Sequence, residues 1–452
     1  MKKGLALAFV LISGLTASAG QPPDRTRTLV LDGGTLIDGT GRPPVRDAVV
    51  LVEGTRIKAV GTRGSVSVPA SATVIPLGGR TILPGLIDGH LHLQEWEVPM
   101  FLPFGITTVA DIHNDTAWSI QQREALKRGQ MKGPRLFVSG ARVSGPLGPP
   151  TTDGGYVKDV EEARAYVRRL KAAGVDHVKV DLTITDEQLR AVIEECKAQG
   201  LPLLGHTRNI RTAVEMGFTH MEHTDTMARA LLADAKREAP SGTPPEALVD
   251  PTMFPPLIDF LVQHTVYVNP TLFLMWGGGT ERWRDWTRDG AALAADPKLA
   301  FVPAEVRAAW NRQPRVRQGY GNAAQFLRMY SEAGGKILAA TDAVCGGCNQ
   351  IVPGLSLHYE MQMLTDMGIP PMKAIQGATL WSAEVIGQQK DLGSIEVGKL
   401  ADFTIVEGDP LADIAATRNV RMVIKDGAVV DTSYDPAWTN PIPRRRPAGA
   451  RP

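Results

Sequence analysis

Residues 160–182 read VEEARAYVRRLKAAGVDHVKVDL: an amphipathic helical stretch, a glycine, then a short apolar strand with Lys179 inside it. Gly174 stands where a helix ends most easily, because a residue without a Cβ adopts the left-handed conformation without strain. The same order returns along the chain. TDEQLRAVIEECKAQG (185–200) precedes LPLLGHTR (201–208), and IRTAVEMG (210–217) precedes FTHMEHTD (218–225). AAQFLRMYSEAGG (323–335) precedes KILAATDA (336–343). Repeated βα units make a parallel sheet, and a run this long predicts a (β/α)8 TIM barrel, an α/β fold, over 83–392. An open doubly wound sheet would more often carry a glycine-rich phosphate loop after its first strand, and the chain has none.

The flanks have a different character. Residues 20–82 contain short strands broken by glycine turns, such as RTLVLDGGTLIDG and AVVLVEGTRIKAVG, and the pattern resumes at 393–435 with GSIEVGKLADFTIVEGDP and VRMVIKDGAVVD. One small β-sandwich domain built from both termini is expected. The proline- and arginine-rich end, 436–452, reads as a disordered tail. Residues 276–319, rich in Trp and Arg, interrupt the βα rhythm as an insertion, either a lid over the barrel mouth or a surface helical hairpin with partly buried tryptophans.

The extreme N-terminus predicts export. Lys2-Lys3, an apolar run from Gly4 to about Leu15 and the small residues Ala17-Ser18-Ala19 have the order of a secretory signal peptide over 1–19, which places the chain as secreted or periplasmic. No other run is apolar and long enough to span a bilayer, so no membrane contact is expected after signal removal. Basic and acidic side chains balance at 49 and 48, which gives no reason to expect nucleic acid as a partner. A small-molecule substrate is expected instead, with further copies of the chain in a homo-oligomer. Cys345 and Cys348 form a lone CxxC, weak as a zinc motif and more readily a loop disulfide in an oxidising compartment. Cys196, inside a helical pattern, reads as a buried apolar residue.

In a barrel of this kind the C-terminal ends of the strands carry the chemistry. LPGLIDGHLHLQ (83–94) ends its strand with His90 and His92, two residues apart and therefore on one face. Lys179 lies inside VDHVKVDL, LPLLGH ends with His206, FTHMEH with His223, and KILAATD with Asp342. Ionisable residues closing five apolar strands in series point to divalent metal. His220 competes with His223, but alternation from Met221 predicts His223 inward and His220 outward. His113, His177 and His264 read as ordinary polar residues, and His358 as supporting or structural.

Together these pieces, with VPGLSLHYEM, AIQGATLWSAEVIG and DLGSIEVGKLADFTIVEGDPL, resemble the amidohydrolase superfamily, most of all its imidazolonepropionase-like and Xaa-Pro dipeptidase-like branch. The resemblance runs from about residue 28 to 432. It implies two divalent metal ions, zinc first and manganese or cobalt as alternatives. His90, His92 and Asp342 would hold one ion, and His206 and His223 the other. Lys179, having taken up CO2 as a carbamate, would bridge them. The ions would activate a shared hydroxide, and Asp342 would orient it, accept its proton and pass that proton to the leaving nitrogen. The expected reaction is hydrolysis of a C–N amide bond in a small dipeptide-like or N-acyl amino acid substrate. Lactone, ester or phosphoester hydrolysis is an alternative on the same fold. A deaminase or cyclic amidase is less favoured, since deaminases usually place a Glu soon after the His206 position and this chain has Thr207-Arg208-Asn209. A non-catalytic binding protein is disfavoured because all six metal positions are filled. Arg208 departs from the family pattern and is a candidate grip for a substrate carboxylate.

Overall fold

The computed structural model describes residues 27–148, 155–277, 280–312, 317–344 and 349–444. The signal-peptide region and the Cys345/Cys348 pair lie outside the described residues. So do 445–452 of the tail. The N-terminal piece supplies strands β1 (Thr28–Leu36), β2 (Val45–Glu53), β3 (Arg56–Thr62), β4 (Thr73–Pro76) and β5 (Thr81–Pro84). Next come β6 (Leu86–Leu91), β7 (Ile106–Asp111), β8 (Arg135–Val138), β9 (Val178–Val180), β10 (Leu203–Gly205), β11 (His220–Glu222), β12 (Tyr267–Asn269) and β13 (Lys336–Ile337). The chain returns with β14 (Phe403–Val406), β15 (Val420–Lys425) and β16 (Ala428–Val429).

Strands β6 to β13 pair in parallel within three sheets, β6-β7-β8, β9-β10 and β11-β12-β13. Parallel bridges join Val143 to Val180 and Leu91 to Ala343, so the segment after β8 meets β9 and the first strand meets the segment after the last. The helices between them form where the sequence signals them. Helix Val160–Ala173 is capped by Asp159, whose carboxylate accepts from Glu162 N, and ends at Gly174 with φ 91°. Helix Asp186–Gln199 opens on a Thr185/Gln188 capping box and ends at Gly200 with φ 65°. Cys196 is buried on it, and its burial pushes the thiol up to about 12. The result is a TIM-barrel-like α/β protein.

The two termini do share one β-structure. Hydrogen bonds join it as a single eight-stranded sheet in the order β16-β15-β14-β5-β1-β2-β3, with β4 beside β1. The fork has a local cause. β1 pairs with β4 over Leu29–Asp32 and with β5 at Thr35 and Leu36, and its register against β2 slips on both sides of Gly34. A Cβ on Gly34 would sit 2.8 Å from Leu77 Cδ1 and 2.9 Å from Arg80 O, so only glycine lets the two partner strands approach there. Arg135 at the start of β8 pins this sheet to the parallel strands through Asp402, at 2.5 Å, and Asp426.

One expectation needs correction. The segment 436–444 is not a disordered tail: Trp438 packs on Phe301 at 5.8 Å between ring centroids, and the carbonyl of Ile442 accepts from Trp118 Nε1 at 3.0 Å and Gln122 Nε2 at 2.7 Å. Proline spacing masked these few anchors. In the 276–319 insertion, Trp276, Trp286 and Trp310 are buried, and Trp286 stacks on Tyr359 at 5.1 Å. Its helix Trp283–Ala295 buries Trp286 and Gly290 and leaves its other residues half-buried or exposed, as a surface helix anchored by its tryptophan does.

His358, on helix Leu355–Asp366, is buried between Thr417 Oγ1 and Phe104 O, both 3.0 Å from its ring nitrogens. Burial lowers its pKa to about 4, against the pull of the Phe104 carbonyl. As pH falls from about 6.5 to 4 the unfolded chain takes up a proton here that the folded chain refuses, so this contribution to stability is full above about 6.5 and lost on acidification. The loss amounts to roughly 3 kcal/mol at most. Urea titrations at pH 7 and pH 4.5 should show a smaller acid loss in His358→Gln than in the parent; equal losses would remove His358 as the cause.

Candidate metal centre

β6 is buried along its whole length, so its polar residues cannot be solvated and must find partners. Asp88 accepts from Thr341 N at 3.1 Å and Thr341 Oγ1 at 2.6 Å. Burial still raises its pKa to about 7. It thus clamps the first parallel strand to the segment that presents Asp342. His90 Nε2 lies 3.3 Å and His92 Nε2 3.1 Å from the same Oδ1 of Asp342. Burial pushes the Asp342 carboxyl up, but the His90 and His92 rings outweigh it and hold the group well below the carboxylate range. Burial lowers the pKa of His90 to about 4. For His92 burial acts the same way, yet Asp342 beside it wins and raises the pKa.

Both His90 Nε2 and Asp342 Oδ1 are buried without a hydrogen-bond partner. Orphaned lone pairs are costly unless something electropositive sits between them. Asn269 supports the same reading: its Nδ2 is 2.7 Å from His90 Nδ1 while its Oδ1 is buried and unpartnered. The turned amide would accept from Nδ1–H and leave Nε2 its lone pair for a cation. These residues fit a divalent metal ion.

Opposite them lies a second group, His206, Glu222 and His223, whose ligand atoms fall within 4.8 Å of one another. His206 follows Gly205, where a Cβ would lie 2.3 Å from Val180 O; the missing side chain lets β10 close on β9. Burial holds the His206 ring well below the usual histidine range. The His206 and His223 rings stack at 4.9 Å, and His223 Nε2 is 3.8 Å from Asp342 Oδ2. His223 and Asp342 both have positive φ, 57° and 54°, as does Thr271, whose Oγ1 is 2.7 Å from His223 Nδ1. Non-glycine residues in that region cost about 1–3 kcal/mol each and gather where geometry is imposed for function.

Lys179 is joined to Glu222 of the second group as an ion pair, and both are almost fully buried. The Glu222 carboxylate also reaches across to the first group, with Oε1 3.5 Å from His90 Nδ1, while its Oε2 lies 3.5 Å from His206 Nε2. Burial would raise Glu222, but the Lys179 ammonium and the surrounding imidazoles hold it well below its ordinary value. Glu222 is absent from the residues singled out in the sequence. The available signal was a carboxylate inside an apolar strand, two residues from another polar side chain. The reading of β11 needs the same correction. His220 does not turn outward: it is buried, with Nε2 3.5 Å from Glu222 Oε1. His223 reaches the site by leaving the strand with positive φ, not by alternation.

Among the remaining histidines, the carbonyl of His113 lies 3.3 Å from His92 Nδ1, His177 is fully buried, and His264 contacts Phe260 O at 2.8 Å. Arg208 is exposed, one residue before the Asn209 cap of helix Ile210–Glu215, and makes no ion pair among the described residues.

Residues 81–430 match the amidohydrolase family. The chain belongs to that family. This amidohydrolase is 24% identical over 384 residues to a 5-methylthioadenosine/S-adenosylhomocysteine deaminase of Bacillus cereus, a match covering 74% of each chain. It is also 24% identical to an adenine deaminase of Rubrobacter xylanophilus, over 91% of this chain and 60% of that one. Among solved structures it is similar to a Xaa-Pro dipeptidase, with TM-score 0.64 and 24% identity over 89% of this chain and 100% of that one. A molinate hydrolase gives TM-score 0.68 and 22% identity over 95% and 100%. The structural likenesses establish the fold, and the family match makes the protein a hydrolase acting on carbon–nitrogen bonds.

Proposed function

We propose that this amidohydrolase cleaves a C–N amide bond in a small dipeptide-like or N-acyl amino acid substrate, using two divalent metal ions. In this reading the eight parallel strands close as a barrel and the forked terminal sheet folds as a sandwich beside it. The observation that carries the proposal is the pair of facing ligand groups around buried Lys179. Ions held there, zinc first, supply Lewis acidity and an activated water. His90, His92 and Asp342 would hold one, and His206 and His223 the other. Lys179, carboxylated by CO2, would offer an oxygen to each, and its remaining N–H would still donate to Glu222. Asp342, kept ionised, takes the proton from the attacking water and delivers it to the leaving nitrogen.

The deaminase relatives favour a second reading, loss of an exocyclic amine. Against it, none of Thr207, Arg208 and Asn209 after His206 is a carboxylic acid. A panel of Xaa-Pro dipeptides, N-acyl amino acids, lactones and methylthioadenosine, assayed with zinc, manganese or cobalt, separates the readings. Ammonia release from the nucleoside without amide cleavage would overturn ours. Elemental analysis after reconstitution with bicarbonate should give about two ions per chain. Carbon-13 NMR should show a carbamate signal that Lys179→Ala lacks. One ion at most would remove the bridged centre.

Arg208 would grip a substrate carboxylate, as its exposed guanidinium, without an ion pair among the described residues, allows. Arg208→Ala should raise KM for a free acid about tenfold or more while leaving the matching amide unchanged. Equal effects on both would return Arg208 to the surface. We also propose export on the strength of Lys2-Lys3, the apolar run and Ala17-Ser18-Ala19; the recovered chain should begin near Gly20. Among the described residues no helix is long and apolar enough to cross a membrane.

A further inference from the structure

The last described residues lie beside the first metal group. Lys132 Nζ pairs with Asp431 at 2.9 Å, and Trp438 then packs on Phe301. The side chain of Asn440 donates to Glu95 O at 3.0 Å and Gln122 Oε1 at 2.9 Å. The final described residue, Arg444, makes the densest contacts. Its Nη2 donates to Leu93 O and to Asn114 Oδ1, each at 2.6 Å, and its backbone N–H donates to Glu95. The guanidinium lies 4.3 Å from the centroid of the Trp118 ring.

These bonds converge on the residue next to a metal-group histidine. The Leu93 carbonyl also accepts from Asn114 Nδ2 at 3.0 Å, and Leu93 N donates to Asp111 Oδ1 at 3.2 Å. Asp111 in turn accepts from Asn114 at 2.9 Å. Both backbone polar groups of Leu93 are therefore fixed, and Arg444 orients the Asn114 amide that fixes them. His92 is held from its other side by the His113 carbonyl, which directs Nε2 at Asp342.

We propose that residues 434–444 form a strap that belongs to the metal site, with Arg444 as a positioning residue that sets the placement of His92. This rests on the metal reading above. A planar guanidinium can serve the carbonyl, the amide and the Trp118 face together, which an ammonium cannot. Supports of this kind around a ligating histidine typically change metal affinity about 10–100-fold.

The test uses the full-length chain stripped of metal and titrated with Zn2+, and with Co2+ for its visible absorption. Arg444→Ala should bind zinc about ten- to a hundredfold more weakly and shift the cobalt bands. Millimolar guanidinium should restore both readings in Arg444→Ala, and Arg444→Lys should recover them only in part. A strap that served overall stability alone would give neither the spectral shift nor the rescue. Should Arg444→Ala fail to fold, Gln122→Leu, which loosens the strap at Ile442 and Asn440, decides by the same cobalt bands. Parental zinc affinity and parental bands in the folded variant overturn the proposal and leave the metal centre standing. A parent chain that binds no zinc overturns both.

Discussion

Asp342→Asn is expected to lower kcat by roughly 10²–10⁴, the range removed with a positioned general acid–base group, while substrate still binds. Asparagine keeps the shape and one oxygen for a cation, but its amide cannot take a proton from water or return one to the leaving nitrogen. The surroundings make the aspartate hard to replace. Two imidazoles share its Oδ1 at 3.1 and 3.3 Å, and the carboxyl is held ionised far into acid. Its protonation therefore does not limit activity near neutral pH. Steady-state kinetics at saturating metal check this, and parental turnover in the variant would take Asp342 out of the mechanism.

Glu222→Gln should destabilise the metal-free protein by about 3–5 kcal/mol, because it leaves the buried Lys179 charge without its partner. Lys179→Met together with Glu222→Leu should recover most of that loss, since neither charge is then stranded. Desolvation works against the pair, yet the ammonium holds Glu222 well below its ordinary value. The stabilisation is consequently full above about pH 4.5 and fades as pH falls through the depressed folded value. Urea titrations in chelator give the comparison. A Glu222→Gln loss under about 1 kcal/mol would show that the ion pair is not what holds this layer together.

The parallel strands and the shared β-structure of the two terminal pieces were legible because each rests on local rules. Glycine caps at Gly174 and Gly200 mark helix ends, and His90 and His92 share a strand face whatever the rest of the chain does. What stayed hidden depends on backbone that departs from those rules, or on contacts across long stretches of sequence. His223 enters the site through a positive φ that no alternation pattern contains, so the same pattern misplaced His220. Glu222 is notable only once folding puts it against Lys179, 43 residues away. Arg444 looks like part of a solvated basic end until Leu93 O, 351 residues earlier, is found beside it.

The forked sheet has a consequence for how the chain is made. β5 pairs antiparallel with β14 from Thr81 to Pro84, so its open edge waits for residues synthesised more than three hundred positions later. Until then Ile82 and Leu83, both fully buried in the finished protein, line an unpaired apolar edge of the kind that recruits other chains. Ribosome-bound or C-terminally shortened chains should accordingly be aggregation-prone, and β14 acts as the stopper that ends that hazard.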